Sequence, residues 1–292
     1  MMRKSLVAAV GAAFAVLAGT VSSAYAALPP LGAPVGSVDW SKVDGAVPYK
    51  QGHAIPLKAA RPAWFSRALE RRVDAANGVP VAAPNDAPLP GTLGIRPGSW
   101  MLAPSGCTMN FVFGSAGSYS IGTAGHCGKA GEQVTLLTLA PGGSNPVLVD
   151  IGTIQRSVDG GVGNDFAIAS IRPELQTWVS PTIAVVAGPC GSYGGAGPEP
   201  VFHYGHGVAV GTGGTPRAGV ALTWESNAFG WSGLAAPGDS GSAVRVNTGM
   251  QAAGDLTHLV VDTDWLPSYI AGTRMGRILQ IAGQPLANSP LC

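Results

Sequence analysis

The sequence predicts an all-β domain that ends in a helix. Charged residues make up only 11% of the 292 residues, whereas glycine occurs 43 times and proline 24 times. This composition disfavours long solvated helices and favours short strands joined by turns. Apolar or alternating runs between turn sequences predict strands over 109–113, 119–123, 133–139, 147–154, 165–171, 182–186, 201–210, 219–224, 242–246 and 252–261.

The predicted helix lies near the C-terminus. Met275, Ile278, Leu279 and Ala282 recur at helical spacing, which places them on one face. Gly283 follows as a residue that can end a helix.

The N-terminus has the pattern of an export signal. Arg3 and Lys4 precede an apolar run over 6–21, and Ala24-Tyr25-Ala26 resembles a signal peptidase site. We therefore expect a signal peptide over 1–26 and a secreted, extracellular protein. A membrane anchor is the competing interpretation, but the run is short for a spanning helix. No other segment suits a membrane span, so we expect no membrane contact after the signal is removed.

Residues 27–95 differ from the rest of the chain. They are rich in proline and alanine, contain no cysteine, and have more basic than acidic residues. They also contain one predicted helix over 62–76. We interpret 27–95 as a pro-segment or N-terminal extension of a main domain over 96–292, so that the protein would be a zymogen. The alternative is a segment packed permanently on that domain. If 27–95 inhibits, a cut near residue 90 should raise activity.

Charge and cysteine content limit the partners. The formal net charge is +1 and no Lys/Arg cluster occurs, so we expect neither nucleic acid nor an anionic membrane as a partner. Four cysteines in an exported chain indicate two disulfides, with three pairings open. No C-x-x-C spacing suggests zinc, and we expect no metal, no cofactor and a monomer.

Three short segments contain residues suited to nucleophilic catalysis. They are Thr-Ala-Gly-His-Cys ending at Cys127, a strand that begins at Asp165, and Gly-Asp-Ser-Gly-Ser around Ser240. A serine hydroxyl needs an adjacent base, and a neutral imidazole such as that of His126 suits this task. A buried carboxylate must then orient the imidazole, and Gly238 gives the backbone freedom to aim N–H groups at an oxyanion.

These motifs resemble those of the chymotrypsin/trypsin-like serine peptidases, and Ser242 makes the last one more similar to the bacterial extracellular branch. The resemblance covers about residue 100 to the C-terminus. It implies two six-stranded antiparallel β-barrels with a cleft between them. It also implies that His126 is the general base, Asp165 its partner and Ser240 the nucleophile. The N–H groups of Gly238 and Ser240 would form the oxyanion hole, and the substrate would be a protein or peptide.

The resemblance further implies a disulfide between Cys107 and Cys127, which leaves Cys190 to pair with Cys292. The chain also departs from the family. It has no activation sequence of the animal type, so Asp239, which precedes the nucleophile, needs another partner. Two arginines suit that role, and the sequence leaves both open: Arg217 and Arg245.

Substrate preference follows only weakly from the sequence. Counting back from Ser240 as the family does places Leu234 at the base of the specificity pocket, which would make the pocket apolar. The family's Ser-Trp-Gly strand is replaced by a segment containing Thr257 and His258. These two side chains could instead hold a substrate carboxylate, with an ordinary strand histidine as the competing interpretation.

Several other residues and functions compete with this assignment. Asp150 and Asp159 lack the apolar strand that would bury a carboxylate behind His126, and His203 and His206 point to opposite strand faces, which disfavours a metal site. Trp224, Phe229 and Trp231 could form a substrate wall or pack in the core. An esterase would require a different motif and chain order. A catalytically silent binding protein on a peptidase fold remains the alternative function.

Overall fold

The structure is a computed structural model that describes residues 40–42, 44–61, 70–71, 94–139, 146–207, 214–264 and 267–292. The predicted signal peptide and most of the predicted helix over 62–76 lie outside these residues. The described part of the N-terminal extension contributes three strands: β1 Val47–Tyr49, β2 Gly52–Pro56 and β3 Glu70–Arg71. Because β3 falls within 62–76, the helix prediction is wrong for at least these two residues.

The first barrel is built from seven strand segments: β4 Trp100–Leu102, β5 Gly106–Thr108, β6 Val112–Phe113, β7 Ser120–Thr123, β8 Gln133–Leu139, β9 Pro146–Asp159 and β10 Asp165–Ser170. Their order in the sheet is β5-β4-β8-β9-β10-β7-β6, and β3 adds to β9. β5 and β6 lie at opposite ends of this order, but they follow each other directly in the chain. The sheet therefore closes on itself as a six-stranded barrel.

The second barrel closes in the same way as the first. Its segments are β11 Glu199–Gly205, β12 Thr215–Trp224, β13 Ala228–Gly233, β14 Ala243–Val246, β15 Ala252–Asp255, β16 His258–Asp262 and β17 Pro267–Thr273. They are arranged β16-β17-β13-β12-β11-β14-β15, with β2 and then β1 added outside β16. β15 and β16 are again consecutive, so this sheet also closes as six strands. The predicted fold class is confirmed.

The helix at the C-terminus, α1 Met275–Ala282, is also confirmed. Gly283 ends it in the left-handed region with φ 65°, and its N–H bonds to the carbonyl of Leu279. The buried face contains Met275 and Ile278. Shorter 3-10 helices occur at Trp40–Lys42, Gly125–Cys127, Pro173–Trp178 and Thr248–Met250. In the described part of the chain, no helix is long and apolar enough to cross a membrane.

A shared apolar cluster joins the two barrels. Phe113 and Phe166 come from the first barrel, Tyr204 comes from the second, and Ile278 comes from α1. The rings of Phe113 and Phe166 meet edge to face at 5.6 Å. Because this cluster packs one barrel against the other, loops from both barrels are held next to each other at the junction.

One predicted strand is wrong. Residues 182–186 form no strand, because Val185 adopts φ 66° and Ala187 φ 59°, which turns the chain. A φ near 60° lies in the left-handed region, outside the range of an extended strand.

Candidate active site

The three sequence motifs meet at the junction of the barrels. His126 lies in the 3-10 turn after β7, and Asp165 is the first residue of β10, so both belong to the first barrel. Ser240 lies in the loop before β14 of the second barrel. All three side chains are buried. Two closed barrels thus bring together residues that lie 114 positions apart in the chain.

A continuous hydrogen-bond chain connects the three side chains. The Oδ2 atom of Asp165 lies 2.6 Å from Nδ1 of His126. The Nε2 atom of the same ring lies 2.7 Å from Oγ of Ser240. A neutral imidazole with its proton on Nδ1 donates to the carboxylate and leaves Nε2 to accept the serine proton. The arrangement can therefore activate a hydroxyl as a nucleophile.

Asp165 is fixed by more than the imidazole. Its Oδ1 atom accepts the backbone N–H of His126 at 3.0 Å, and its own carbonyl accepts the hydroxyl of Thr273 at 3.0 Å. Burial by itself disfavours the carboxylate, but the interactions with His126 and His258 outweigh it and hold the pKa of Asp165 below its ordinary value. The carboxylate is therefore charged at neutral pH.

Gly125 allows the histidine turn to approach β9 closely. A Cβ atom at this position would lie 1.8 Å from the carbonyl oxygen of Val158. Any larger residue would push the turn, and His126 with it, away from Asp165.

Two backbone N–H groups of the nucleophile loop converge on one oxygen atom. The N–H of Gly238 and the N–H of Ser240 both donate to the carbonyl oxygen of Leu57, at 2.6 and 3.2 Å. Gly238 has φ 108°, and a Cβ atom there would lie 2.6 Å from the carbonyl oxygen of His206. These are the two N–H groups that the sequence predicted to point at an oxyanion.

The nucleophile loop is held by a buried ion pair. Nη1 of Arg217 donates to Oδ1 of Asp239 at 2.6 Å, and both side chains are buried. Asp239 also accepts the N–H groups of Gly207 at 2.7 Å and Ala236 at 2.8 Å. Of the two arginines that the sequence left open, Arg217 is the partner. Arg245 instead donates to backbone carbonyls of Val186 and Val246.

The cysteines form the two pairs that the resemblance implied. Cys107 is bonded to Cys127, which joins β5 to the histidine turn. Cys190 is bonded to Cys292, which ties the C-terminus to the segment before β11.

Thr257 and His258 differ from their expected placement. His258 packs its ring against that of His126 at 5.4 Å, and its Nδ1 lies 2.8 Å from Oγ1 of Thr257 and 3.6 Å from Oδ2 of Asp165. Burial lowers the pKa of His258 to about 4, although the charge of Asp165 acts in the opposite direction, and His126 lowers it further. His258 is therefore neutral at pH 7 and offers no positive charge to a substrate carboxylate. Its ring lies against that of His126 instead.

Leu234 corrects a second specificity prediction. Its side chain is 72% exposed just beyond the end of β13. An exposed side chain does not form the base of a buried pocket.

The remaining candidates have structural roles. Asp150 pairs with Arg172, and Asp159 lies opposite Asp165 in the ladder between β9 and β10. His203 and His206 are buried, and burial followed by the charge of Arg217 lowers the pKa of each to about 3. The candidate wall residues stack as a column, with ring centroids 5.3 Å apart for Trp224–Phe229 and 4.9 Å apart for Phe229–Trp231.

Sequence reasoning missed Leu57 and the strand that precedes it. The N–H of Leu57 donates to the carbonyl of Thr257 at 3.0 Å, and Oγ of Ser240 lies 3.0 Å from the same carbonyl oxygen. The signal that could have revealed this strand is the apolar run Ala54-Ile55-Pro56-Leu57, which stands out from the composition of the extension.

The chain is similar to several solved proteases. Thermobifida fusca protease A is 20% identical over 67% of this chain and 99% of that one, with a TM-score of 0.47. A glutamic acid specific serine protease that uses a histidine triad in substrate binding is 16% identical, over 66% and 100% of the two chains, with a TM-score of 0.47. An alpha-lytic protease homolog, N4, is 15% identical, over 65% and 98%, with a TM-score of 0.45.

No family model matches the sequence, and no curated protein matches it. The fold is therefore identified from the molecule itself. Each barrel closes through one interrupted strand, and the histidine, aspartate and serine motifs meet where the barrels join. The chain has the two-barrel fold of the chymotrypsin-like serine peptidases.

Proposed function

We propose that the protein is a secreted serine endopeptidase that hydrolyses peptide bonds through an acyl-enzyme. One observation carries the proposal. The Asp165–His126–Ser240 hydrogen-bond chain ends beside two N–H groups that converge on a single carbonyl oxygen. Nucleophile, base, orienting carboxylate and oxyanion donors are the complete set of groups that acyl transfer requires.

The acylation step follows from these positions. Oγ of Ser240 attacks the substrate carbonyl carbon while Nε2 of His126 takes the hydroxyl proton. The carbonyl oxygen becomes an oxyanion, which the N–H groups of Gly238 and Ser240 stabilise. Asp165 stabilises the imidazolium formed at the same moment. His126 then gives its proton to the departing amine, and an ester to Ser240 remains.

Deacylation repeats the sequence with water as the nucleophile. His126 takes a proton from water, the resulting hydroxide attacks the ester, and the same two N–H groups hold the second oxyanion. The proton returns to Oγ of Ser240 as the acid product leaves. No group beyond the triad and the two donors is needed.

Two observations support a peptide substrate and an exported protein. The edge of β16 pairs its backbone with an extended segment, which is how peptides add to an exposed strand. Two disulfides and the predicted signal peptide over 1–26 are consistent with an oxidising, extracellular location.

A fluorophosphonate probe tests the activated nucleophile. The exported protein is incubated with the probe, and the labelled peptide is mapped by mass spectrometry, with Ser240→Ala as the control. We expect one adduct, on Ser240, and hydrolysis of a casein or peptide library by the same preparation. If no form of the protein is labelled and none hydrolyses peptides, the enzyme assignment is wrong and the binding-protein alternative replaces it.

A further inference from the structure

An extended piece of the N-terminal extension lies across the nucleophile. We call residues 52–59 the cleft segment. On one side of Ser240 its strand β2 pairs antiparallel with β16, where Ile55 lies opposite Leu259. On the other side the N–H of Ala59 donates to the carbonyl of Gly106 at 2.8 Å, and the N–H of Gly106 donates back at 2.9 Å. Backbone pairs thus hold the cleft segment to the second barrel before Ser240 and to the first barrel after it.

Between these two anchors, Leu57 makes the contacts expected of a residue under attack. Its N–H donates to the carbonyl of Thr257, and its carbonyl oxygen accepts the N–H groups of Gly238 and Ser240. Those two donors stabilise the oxyanion in the mechanism above. The carbonyl they hold belongs to the peptide bond between Leu57 and Lys58, so among the described residues the geometry selects this bond.

The side chains of the cleft segment fit the same interpretation. Leu57 and Ile55 are completely buried, and Pro56 between them is also buried. Both aliphatic side chains belong to the apolar cluster that contains Phe229 and Trp231. Lys58, on the departing side, is only partly buried. The enzyme therefore encloses an apolar side chain before the selected bond and leaves the next residue partly in solvent.

We propose that the cleft segment is a built-in substrate and inhibitor: it closes the active site of the uncut chain, and the enzyme cleaves it between Leu57 and Lys58. This proposal rests on the proposed peptidase function. It also names the preferred substrate, a peptide with a medium-sized apolar residue at the cleaved bond and proline before it.

The cleavage balances as an ordinary hydrolysis. Oγ of Ser240 bonds to the carbonyl carbon of Leu57, and the carbon–nitrogen bond to Lys58 breaks. The nitrogen of Lys58 receives the proton that His126 took from the serine. One water molecule then hydrolyses the ester, giving a carboxylate on Leu57 and a free amine on Lys58.

The first test follows the uncut chain over time. The exported protein is purified, and its intact mass and N-termini are measured at several protein concentrations. We expect a new N-terminus at Lys58, formed at a rate that does not depend on concentration, because the cleavage is intramolecular. The Ser240→Ala chain should stay intact. A wild-type chain that is never cut after Leu57 overturns the proposal.

The second test opens the cleft without changing the catalytic groups. Ile55→Asp places a carboxylate in an apolar site and should detach the cleft segment, whereas Val47→Asp lies on β1, where the side chain is 43% exposed. We expect Ile55→Asp to raise the fluorophosphonate labelling rate of uncut chains about tenfold or more, and Val47→Asp to match the wild type. Equal labelling of all three overturns the proposal.

The third test needs no variant and so does not depend on folding of Ile55→Asp. Cut enzyme is given fluorogenic peptides that end in Ala-Ile-Pro-Leu, Ala-Ile-Pro-Lys or Ala-Ile-Pro-Asp before the leaving group. We expect kcat/KM to be about 100-fold higher for leucine than for lysine or aspartate. A preference for either charged residue overturns the proposal.

The two proposals fail in different ways. If Ser240 is never labelled and no peptide is cleaved, the peptidase function itself is wrong. If Ser240 is labelled and peptides are hydrolysed, but the cut after Leu57 or the preference for leucine is missing, only the role of the cleft segment is wrong.

Discussion

Asp165 is the residue whose contacts make the clearest prediction. Its carboxylate accepts both the ring and the backbone N–H of His126. Asp165→Asn keeps the size of the side chain but offers an N–H to Nδ1, which favours the imidazole tautomer that cannot accept the serine proton. We expect kcat of the cut enzyme to fall about 10⁴-fold with little change in KM. Peptide hydrolysis measures this loss. A loss of less than about tenfold would contradict the role of Asp165.

Arg217 supports a second prediction at the same scale. Removing it leaves Asp239 buried beside the nucleophile loop without its positive partner. We expect Arg217→Met to lower the free energy of unfolding by about 3–5 kcal/mol and to slow labelling of Ser240.

Arg245→Met is the matched control for that prediction. Arg245 is half-buried and donates only to backbone carbonyls, away from Asp239. Urea unfolding and probe labelling of both variants distinguish the two arginines. Equal effects would mean that the ion pair does not hold the loop.

The meeting of His126, Asp165 and Ser240 could be predicted from the sequence because each lies in a short motif of characteristic residue types. Thr273 could not, because it acts through a hydrogen bond to Asp165 across 108 positions. Leu57 could not either, because it is held by backbone N–H groups of Gly238 and Ser240, and its side-chain type does not reveal such contacts. His258 was noticed, but its neighbours depend on how β16 crosses the cleft.

At the scale of elements, the two disulfides have different expected effects. Cys190–Cys292 closes a separation of 102 residues and lies away from the triad, whereas Cys107–Cys127 closes only 20 residues and includes the histidine turn. Replacing Cys190 and Cys292 with serine should lower the free energy of unfolding by about 4–5 kcal/mol and leave kcat nearly unchanged.

Replacing Cys107 and Cys127 with serine should lower the free energy of unfolding less, by about 3 kcal/mol. It should also reduce kcat, because the position of His126 is no longer fixed. Urea unfolding and peptide hydrolysis of both double-serine variants test the pair of expectations. Loss of kcat in the variant without Cys190–Cys292, but not in the variant without Cys107–Cys127, would contradict them.

Strands with strong apolar alternation, such as β8 and β10, were predicted within one residue of their observed bounds. Weaker ones were not. β17 begins at a proline and contains a glycine, and β2 lies in a proline-rich extension, so the local sequence pattern predicts neither strand. Their partners are β13 and β16, and pairing rather than propensity makes them strands.

At the scale of the whole molecule, the active site depends on how the two barrels pack. The cluster that joins them contains residues of both barrels and of α1, so the triad is intact only while the barrels stay together. The cleft segment adds contacts to both barrels at the same junction. The sequence could not show this, because Leu57 and Thr257 lie far apart in the chain and meet only through the backbone pairing of the folded protein.

Buried histidines make the stability of the whole molecule depend on pH. His203 lies against the ring of Trp231, at 6.3 Å, and burial, followed by the nearby charge of Arg217, lowers its pKa from 6.5 to about 3. Unfolded chains take up a proton at this residue below about pH 6.5, but folded chains do not, so acidification favours unfolding. The stability that His203 contributes is thus present above pH 6.5 and is lost as the pH falls towards 3.

His203→Gln removes this linkage. Between pH 6.5 and pH 5 we expect the wild type to lose about 2 kcal/mol more of its free energy of unfolding than the variant does. Urea unfolding at the two pH values measures the difference, and Ser240→Ala in both chains prevents self-digestion. Because the comparison is between two chains that share every other titrating group, the contributions of Asp165 and the remaining histidines cancel. Parallel pH profiles would show that His203 is protonated in the folded protein, and the enclosed site between the ring and Arg217 would then have to admit a charge.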